Sequence, residues 1–260
     1  MPILPVPNRC IWCLTPYPEV PFDRSHVLPQ CVGNKHQQIL PAGVVCQPCN
    51  NAYSRKVERE FIHEPVFRMG THVLGIRKDP NLDSMPLGNT PKHFHFSISL
   101  NSEELKVECD GPPRLTCTKT YNKRSSALLS RAIHKMAFEA LAHVLYVKGH
   151  DEKVDVLSQL FHPIRQWVRL GQPMGSVRPV LRKPSENPNG EWEMRIHENQ
   201  GAFLVEMKLF AEWFGVHLTA ESPEIALRAL VMCTDSNTGA WILEDKPVSL
   251  AACRKRLALC

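Results

Sequence analysis

The stretch CIWCLTPYPEVPFDRSHVLP, residues 10–29, decides what the amino-terminal part of this chain can fold into. It contains a Cys-x-x-Cys pair, Cys10 and Cys13, and after a polar loop a single histidine, His26. Taken alone, the stretch is compatible with a redox motif, with half of a zinc site, or with the front half of an active centre. The residues that follow separate these alternatives.

A second Cys-x-x-Cys pair, Cys46 and Cys49, lies further along the chain. Two such pairs supply four thiolates to a tetrahedral zinc ion, because each pair forms a tight turn and the intervening loop brings the turns face to face. A thioredoxin-like site is disfavoured because no βαβ pattern surrounds either pair. The sequence therefore predicts a structural zinc ion bound by Cys10, Cys13, Cys46 and Cys49.

Composition limits the class of protein. Of the 260 residues, 43% are hydrophobic and 22% are charged, which is ordinary for a globular protein with a real core. The net charge of +5 permits a polyanionic partner without requiring one. The sequence contains no apolar run long enough to predict a membrane span, and its beginning does not resemble a signal peptide. Ten cysteines in such a chain indicate metal ligands and buried thiols, so we expect a cytoplasmic protein.

The chain divides by composition into three parts. Residues 1–68 are rich in Cys, Pro, Asn and His, which is typical of a small module held by a metal ion. Residues 69–92 carry repeated Gly, Pro, Asn and Asp and are predicted to be a connector. Residues 93–260 are predicted to form a larger α+β domain with antiparallel strands and one long helix, which would serve as an accessory or targeting domain.

Hydrophobic periodicity predicts the elements of this larger part. The clearest is a long helix over 125–149, with a serine available at its start and Gly149 at its end. A shorter helical pattern from Lys153 to Phe161 is predicted to stop near Pro163 and to resume over 164–170. The predicted strands, which make most of the remainder extended, are 93–100, 104–109, 114–120, 191–198, 202–210, 214–220 and 239–245.

The order Cys-x-x-Cys, then Ser-His-Val-Leu-Pro, then Cys-x-x-Cys followed directly by Asn50 resembles the HNH endonuclease family. The resemblance covers about the first 65 residues. It implies a ββα-metal fold, in which a hairpin and a helix hold one catalytic divalent ion and the zinc knuckle staples the small module. The predicted fold class is therefore α+β: a zinc-stapled ββα-metal module followed by the larger α+β domain.

The resemblance also implies residue roles. His26 would be the general base that takes a proton from the attacking water, and Asn50 would be a ligand of the catalytic ion. An amide oxygen suits Mg²⁺ or Mn²⁺. The implied function is a metal-dependent HNH-type endonuclease that hydrolyses phosphodiester bonds of DNA, nicking included, in restriction, phage defence or mobile-element biology.

Two positions depart from the family pattern. Relatives commonly carry an acidic metal ligand where this chain has Ser25, and an asparagine near the position of Pro41. Asp23, on the same side of an extended strand as Ser25, and Glu58 are candidates to replace that ligand. The candidate ligands of the catalytic ion are therefore Asp23, Ser25, Asn50 and Glu58. The departures leave open a catalytically impaired HNH-like zinc protein that binds nucleic acid or a protein partner.

The expected partner is nucleic acid, above all double-stranded DNA. Arg55, Lys56 and Arg59 would contact phosphates, although a merely solvated helix face fits them nearly as well. The sequence also allows a homodimer or a partner protein of a defence system, and it gives no reason to expect a membrane partner. A zinc-ribbon interaction module unrelated to nucleic acid is the weakest alternative.

Overall fold

The computed structural model describes most of the amino-terminal module and the main elements of the remainder of the chain. The residues described are 3–32, 38–62, 71, 94–98, 104–109, 115–118, 123–149, 154–171, 177–184, 193–199, 201–209, 212–233, 241–243 and 246–248.

The amino-terminal module is a hairpin followed by helices. Strand β1 (Phe22–His26) pairs antiparallel with β2 (Ile39–Cys46), and helix α1 (Gln47–Lys56) follows β2 directly. A proline in the first turn of α1 suits a position where no backbone N–H is needed. The short helix α2 (Glu58–Ile62) completes the unit. This confirms the predicted ββα arrangement.

A separate three-stranded antiparallel sheet comes next in the chain. It consists of β3 (Phe94–Ile98), β4 (Glu104–Cys109) and β5 (Leu115–Thr118), in that order across the sheet. The first two strands form the hairpin that the alternating sequence predicts, and the third lies where a further strand was expected.

The longest described helix is α3 (Lys123–His143), which a π-helical turn extends over Val144–Lys148. Gly149 ends it with φ +82°, a conformation that glycine adopts without strain. The prediction of a long helix is thus confirmed, and its apolar stripe is buried. None of the described helices combines the length and the apolar character needed to cross a membrane.

The largest sheet has six antiparallel strands in the order β11-β10-β6-β9-β8-β7. Its strands are β6 (Leu181–Pro184), β7 (Glu193–Asn199), β8 (Ala202–Leu209), β9 (Glu212–His217), β10 (Trp241–Leu243) and β11 (Lys246–Val248). Four of these strands match predicted ones, whereas β6 and β11 were not predicted.

Two predictions about helices were wrong. The expected helix over 153–161 is absent from its described part, where only a 3-10 turn (Gln159–Phe161) forms. Helix α4 (His162–Leu170) then begins where the pattern was expected to stop, because Pro163 fits the first turn of a helix. Helix α5 (Pro223–Cys233) lies in a region predicted as mainly extended. The hydroxyl of Ser222 accepts the backbone N–H of Ile225 at 3.2 Å and caps this helix.

A single buried core connects the hairpin module, helix α3 and the largest sheet. Aromatic rings mark its path: Trp12 lies 5.1 Å from Phe138, Phe138 lies 5.1 Å from Phe161, and Phe161 lies 5.4 Å from Phe203, between ring centroids. The hairpin module therefore packs directly on α3. The division into residues 1–68, 69–92 and 93–260 stays a prediction about the sequence.

Candidate zinc knuckle and nuclease site

The four predicted zinc ligands meet at one point. Cys10 and Cys13 lie in a turn before the hairpin, Cys46 ends β2, and Cys49 lies in the first turn of α1. Their sulfur atoms all lie within 4.8 Å of one another, and the Cys13 and Cys46 sulfurs are 3.6 Å apart. A tetrahedral zinc with bonds of about 2.3 Å holds its sulfurs roughly 3.8 Å apart. The cluster therefore fits a zinc ion.

The thiols are close enough to change each other's acidity. The contact with Cys13 raises the pKa of Cys10 to about 12, and the same contact lowers the pKa of Cys13, because a proton shared between two sulfurs stays on one of them. A zinc ion requires all four groups as thiolates, so its binding releases protons.

A side chain of helix α4, outside the hairpin, holds the turn that carries Cys10 and Cys13 in place. Arg165 of α4 donates a hydrogen bond of 2.7 Å to the carbonyl oxygen of Ile11. It also donates to the carbonyl oxygens of Ser158, at 2.9 Å, and Val156. A buried guanidinium with three carbonyl acceptors thus fixes the knuckle against the rest of the chain.

His26 lies at the end of β1, half-buried, opposite Ile39 of β2. Its Nε2 accepts a hydrogen bond of 2.9 Å from the Nε2 of Gln30. An amide nitrogen can only donate, so this imidazole nitrogen carries no proton. Burial lowers the pKa of His26, and the positive charge of Lys135 lowers it further. The imidazole is therefore neutral at pH 7 and able to accept a proton.

Ser25 connects the hairpin to α1 and to α3. It is fully buried, and its Oγ lies 3.2 Å from Oδ1 of Asn50 and 3.2 Å from Oε2 of Glu139. The contact with Asn50 joins the start of α1 to Ser25, the residue that precedes His26 on β1. Glu139, in contrast, comes from a helix more than a hundred residues further along the chain.

A buried charged network lies beneath these residues. The Nζ of Lys135 donates to Oε1 of Glu58 at 2.7 Å, contacts Oε2 of Glu139 at 3.0 Å and donates to the carbonyl oxygen of His26 at 3.1 Å. The indole Nε1 of Trp12 donates to Oε1 of Glu139 at 2.9 Å. All three N–H donors of the ammonium have acceptors within the protein, so the charge of Lys135 stabilises groups in the protein interior.

The acidities of this network follow from its burial and its charges. Burial alone would lower the pKa of Lys135, but the carboxylates of Glu139 and Glu58 outweigh that effect and raise it. Burial raises the pKa of Glu139, against the opposing effect of Lys135. The ammonium is therefore charged at neutral pH and holds the carboxylates around it.

The remaining candidate ligands lie in different surroundings. Asp23 is exposed, and its carboxylate accepts the backbone N–H of Arg24 at 2.7 Å. A register shift in β1 between Asp23 and Ser25 places one on the surface and the other in the core, so the expected shared side of the strand is not formed. Glu58, only 8% exposed, is bound by Lys135.

The sequence reasoning missed Trp12, Lys135 and Glu139. One signal was available: Lys135 and Glu139 stand one helical turn apart in a segment of α3 that is rich in apolar residues, and charged residues are rarely buried without partners. The predicted phosphate contacts Arg55, Lys56 and Arg59 are exposed, the first two at the end of α1 and the third in α2.

Comparison with known protein families supports the interpretation of this region as an HNH-type module. Residues 10–66 match the family described as HNH endonuclease, over less than a quarter of the chain. Neither the curated proteins nor the solved structures gave a match. The match encloses the hairpin, the four cysteines, His26 and Asn50. Residues 10–66 therefore match an HNH endonuclease module, which confirms the resemblance in the sequence.

Proposed function

We propose that this protein is a metal-dependent endonuclease that hydrolyses phosphodiester bonds of DNA. The observation that carries the proposal is the family match over residues 10–66, on a segment that forms a hairpin, a helix and a four-cysteine cluster. In this proposal His26 is the general base and Asn50 is a ligand of the catalytic ion.

The surroundings of His26 suit the role of a base. Its Nε2 is unprotonated, and among the described residues the amide of the exposed Gln30 is its hydrogen-bond partner. A water molecule that replaces this amide would give up a proton to the imidazole as its oxygen attacks phosphorus. A bound Mg²⁺ or Mn²⁺ would neutralise charge on the phosphate and the departing oxygen.

The ligands proposed for that ion are oxygen atoms. Asn50, partly exposed at the start of α1, contributes its amide oxygen, and the exposed Asp23 is a further donor on β1. Arg55, Lys56 and Arg59 would bind the phosphates on either side, and double-stranded DNA is the proposed substrate. A homodimer, or a partner protein in a defence system, would allow both strands to be cut.

Cleavage of supercoiled plasmid tests the proposal. The purified full chain with Mg²⁺ or Mn²⁺ should convert the plasmid to nicked or linear forms, and His26→Ala should lower the rate by roughly 10²- to 10⁴-fold. His197→Ala is the matched control, because that histidine lies on β7 and is about half exposed. Equal rates for wild type and His26→Ala would overturn the assignment of the base.

A second function has its own support. Ser25 and Glu58 are engaged by the buried network, which leaves fewer acidic oxygens for a second ion. We propose as the alternative a zinc protein that binds nucleic acid without cutting it. One zinc per chain, salt-dependent DNA binding and no cleavage with any divalent ion would favour this alternative over the nuclease.

A further inference from the structure

Lys135 is a fully buried charge that reaches the backbone of the proposed general base. Helix α3 buries several polar and charged side chains, and the Nζ of Lys135 lies 3.1 Å from the carbonyl oxygen of His26. A buried ion pair is weak evidence for stability, since apolar residues of similar volume often replace such a pair at no cost. The contact with His26 points to a role of Lys135 in the candidate site.

The peptide group between His26 and Val27 is held at both of its ends. The N–H of Val27 donates to the carbonyl oxygen of Gln38 at 3.0 Å, and the carbonyl oxygen of His26 accepts from Lys135. A peptide group is planar, so two such bonds fix the orientation of the whole plane and with it the ψ angle of His26. Because β1 ends at His26, these bonds restrain the backbone where the regular strand stops.

Two carboxylates orient the ammonium toward this carbonyl. Oε1 of Glu58 lies 2.7 Å from the Nζ of Lys135, and Oε2 of Glu139 lies 3.0 Å from it. An ammonium has three N–H donors, so these two acceptors leave the third for the carbonyl oxygen of His26. A charged donor makes a hydrogen bond about twice as strong as a neutral one. The backbone at His26 is therefore held firmly from α3.

We propose that Lys135 is a positioning residue of the candidate nuclease site, which fixes the direction of the His26 imidazole by holding the carbonyl oxygen of the same residue. This rests on the proposed function and adds to it a residue outside the family match, which ends at residue 66. A general base acts only within hydrogen-bond reach of the proton that it removes. A displacement of about 1 Å in an active site costs roughly 10²-fold in rate.

The test removes the ammonium without leaving the most deeply buried acid charged. The variant is Lys135→Met combined with Glu139→Gln. The amide oxygen at position 139 can still accept the indole N–H of Trp12, which Glu139 accepts at 2.9 Å in the wild type. The side chain of Glu58 is 10% exposed and keeps contact with water. The double variant should therefore stay folded.

Glu139→Gln alone is the matched reference, because it differs from the double variant only at Lys135. Nicking of supercoiled plasmid with Mg²⁺ or Mn²⁺, measured over a range of plasmid concentrations, gives kcat and KM. Glu139→Gln should keep kcat within about 3-fold of the wild type, whereas the double variant should lose roughly 10-fold or more with KM almost unchanged. Lys148→Met, at an exposed position further along the same helical segment, should change neither value.

A carbonyl signal in the NMR spectrum reports the hydrogen bond itself. Labelling of histidine with ¹³C at the carbonyl and of valine with ¹⁵N selects the His-Val pairs, which the sequence has at 26–27, 72–73 and 143–144. The signal that disappears in His26→Ala belongs to His26. Its position should differ between Glu139→Gln and the double variant, because the carbonyl loses its charged donor.

The outcomes separate this inference from the proposed nuclease. A folded double variant with the kcat of Glu139→Gln, or with an altered KM alone, would overturn the inference and leave the nuclease standing. If the double variant does not fold, the wild type decides through the coupling across the hydrogen bond between Nζ of Lys135 and the carbonyl carbon of His26. Absence of that coupling refutes the inference, and its presence supports it. A wild type that does not cut DNA overturns both proposals.

Discussion

The four-cysteine knuckle and the charged network around Lys135 both involve the amino-terminal module, yet they are built in opposite ways. The knuckle takes all its ligands from residues 10–49, inside the family match. The network joins Glu58 of that match to Lys135 and Glu139 of α3. Short-range sequence spacing therefore reveals the first cluster, whereas only the packing of α3 on the hairpin creates the second.

Removal of zinc tests the knuckle and should have the largest effect. The four thiols are close enough together to bind one zinc ion, and structural zinc sites contribute roughly 10 kcal/mol or more to folding. We expect a zinc chelator to lower the melting temperature of the full chain sharply and to weaken the near-ultraviolet signal to which the buried Trp12 contributes. The measurement is thermal melting followed by fluorescence and near-ultraviolet circular dichroism.

Addition of zinc to the chelated protein is the control and should restore the original melting curve. A chain that releases one zinc per molecule and melts unchanged would contradict a structural role for the knuckle.

Replacement of Lys135 tests the network and should have the next largest effect. Lys135→Met leaves the carboxylates of Glu58 and Glu139 buried without their counter-ion, which costs about 3–5 kcal/mol of unfolding free energy. Urea denaturation measures this loss. The triple variant Lys135→Met, Glu139→Leu, Glu58→Gln removes the uncompensated charges and should regain most of it.

The exposed ion pair of Arg195 and Glu193 is the matched comparison for this experiment. Its atoms are 2.8 Å apart, but both side chains are about half exposed. Glu193→Gln should therefore cost less than about 1 kcal/mol. If Lys135→Met cost no more than Glu193→Gln, the buried network would contribute nothing beyond a surface pair.

Acidification tests a third buried polar cluster, between α3 and the largest sheet, and should have the smallest effect. Burial, together with the positive charge of Arg178, lowers the pKa of His134 to about 3 and that of His217 to about 4. Nδ1 of His217 accepts the backbone N–H of Ala220 at 3.0 Å, which requires the neutral ring. Both histidines are therefore neutral in the folded protein at neutral pH.

The sign of the pH effect follows directly. Above pH 6.5 neither state binds a proton at these rings, so their contribution to stability is complete. Between pH 6.5 and about 4 these two histidines bind protons in the unfolded chain but not in the folded chain. The free energy of unfolding therefore falls. Each histidine should cost about 1 to 2 kcal/mol by pH 5.

Urea denaturation at several pH values measures this slope. His134→Leu removes one of the two groups and should make the loss of stability between pH 6.5 and 5 smaller by about 1 to 2 kcal/mol. An unchanged slope would show that other groups cause the acid sensitivity.

The candidate site was partly predictable from residues alone. The cysteine spacing gave the knuckle, and the position of His26 and Asn50 around it gave the two proposed catalytic residues. Asp23 and Ser25 could not be placed correctly, because a register shift in β1 breaks the alternation on which the expectation rested. The helix over 223–233 was missed because its short apolar pattern resembles a buried strand.

The sequence by itself determined features that depend on near neighbours: four thiols in two Cys-x-x-Cys pairs, and a long amphipathic helix that was predicted over 125–149 and is found at 123–143. The hairpin joined to a helix followed from the family resemblance. Only the tertiary structure decided that Ser25 is buried between Asn50 and Glu139 and that Lys135 neutralises the acids around it. The physical reason is distance along the chain. Turn and helix geometry acts over a few residues, whereas the partner of a buried charge is known only after packing has brought remote elements together.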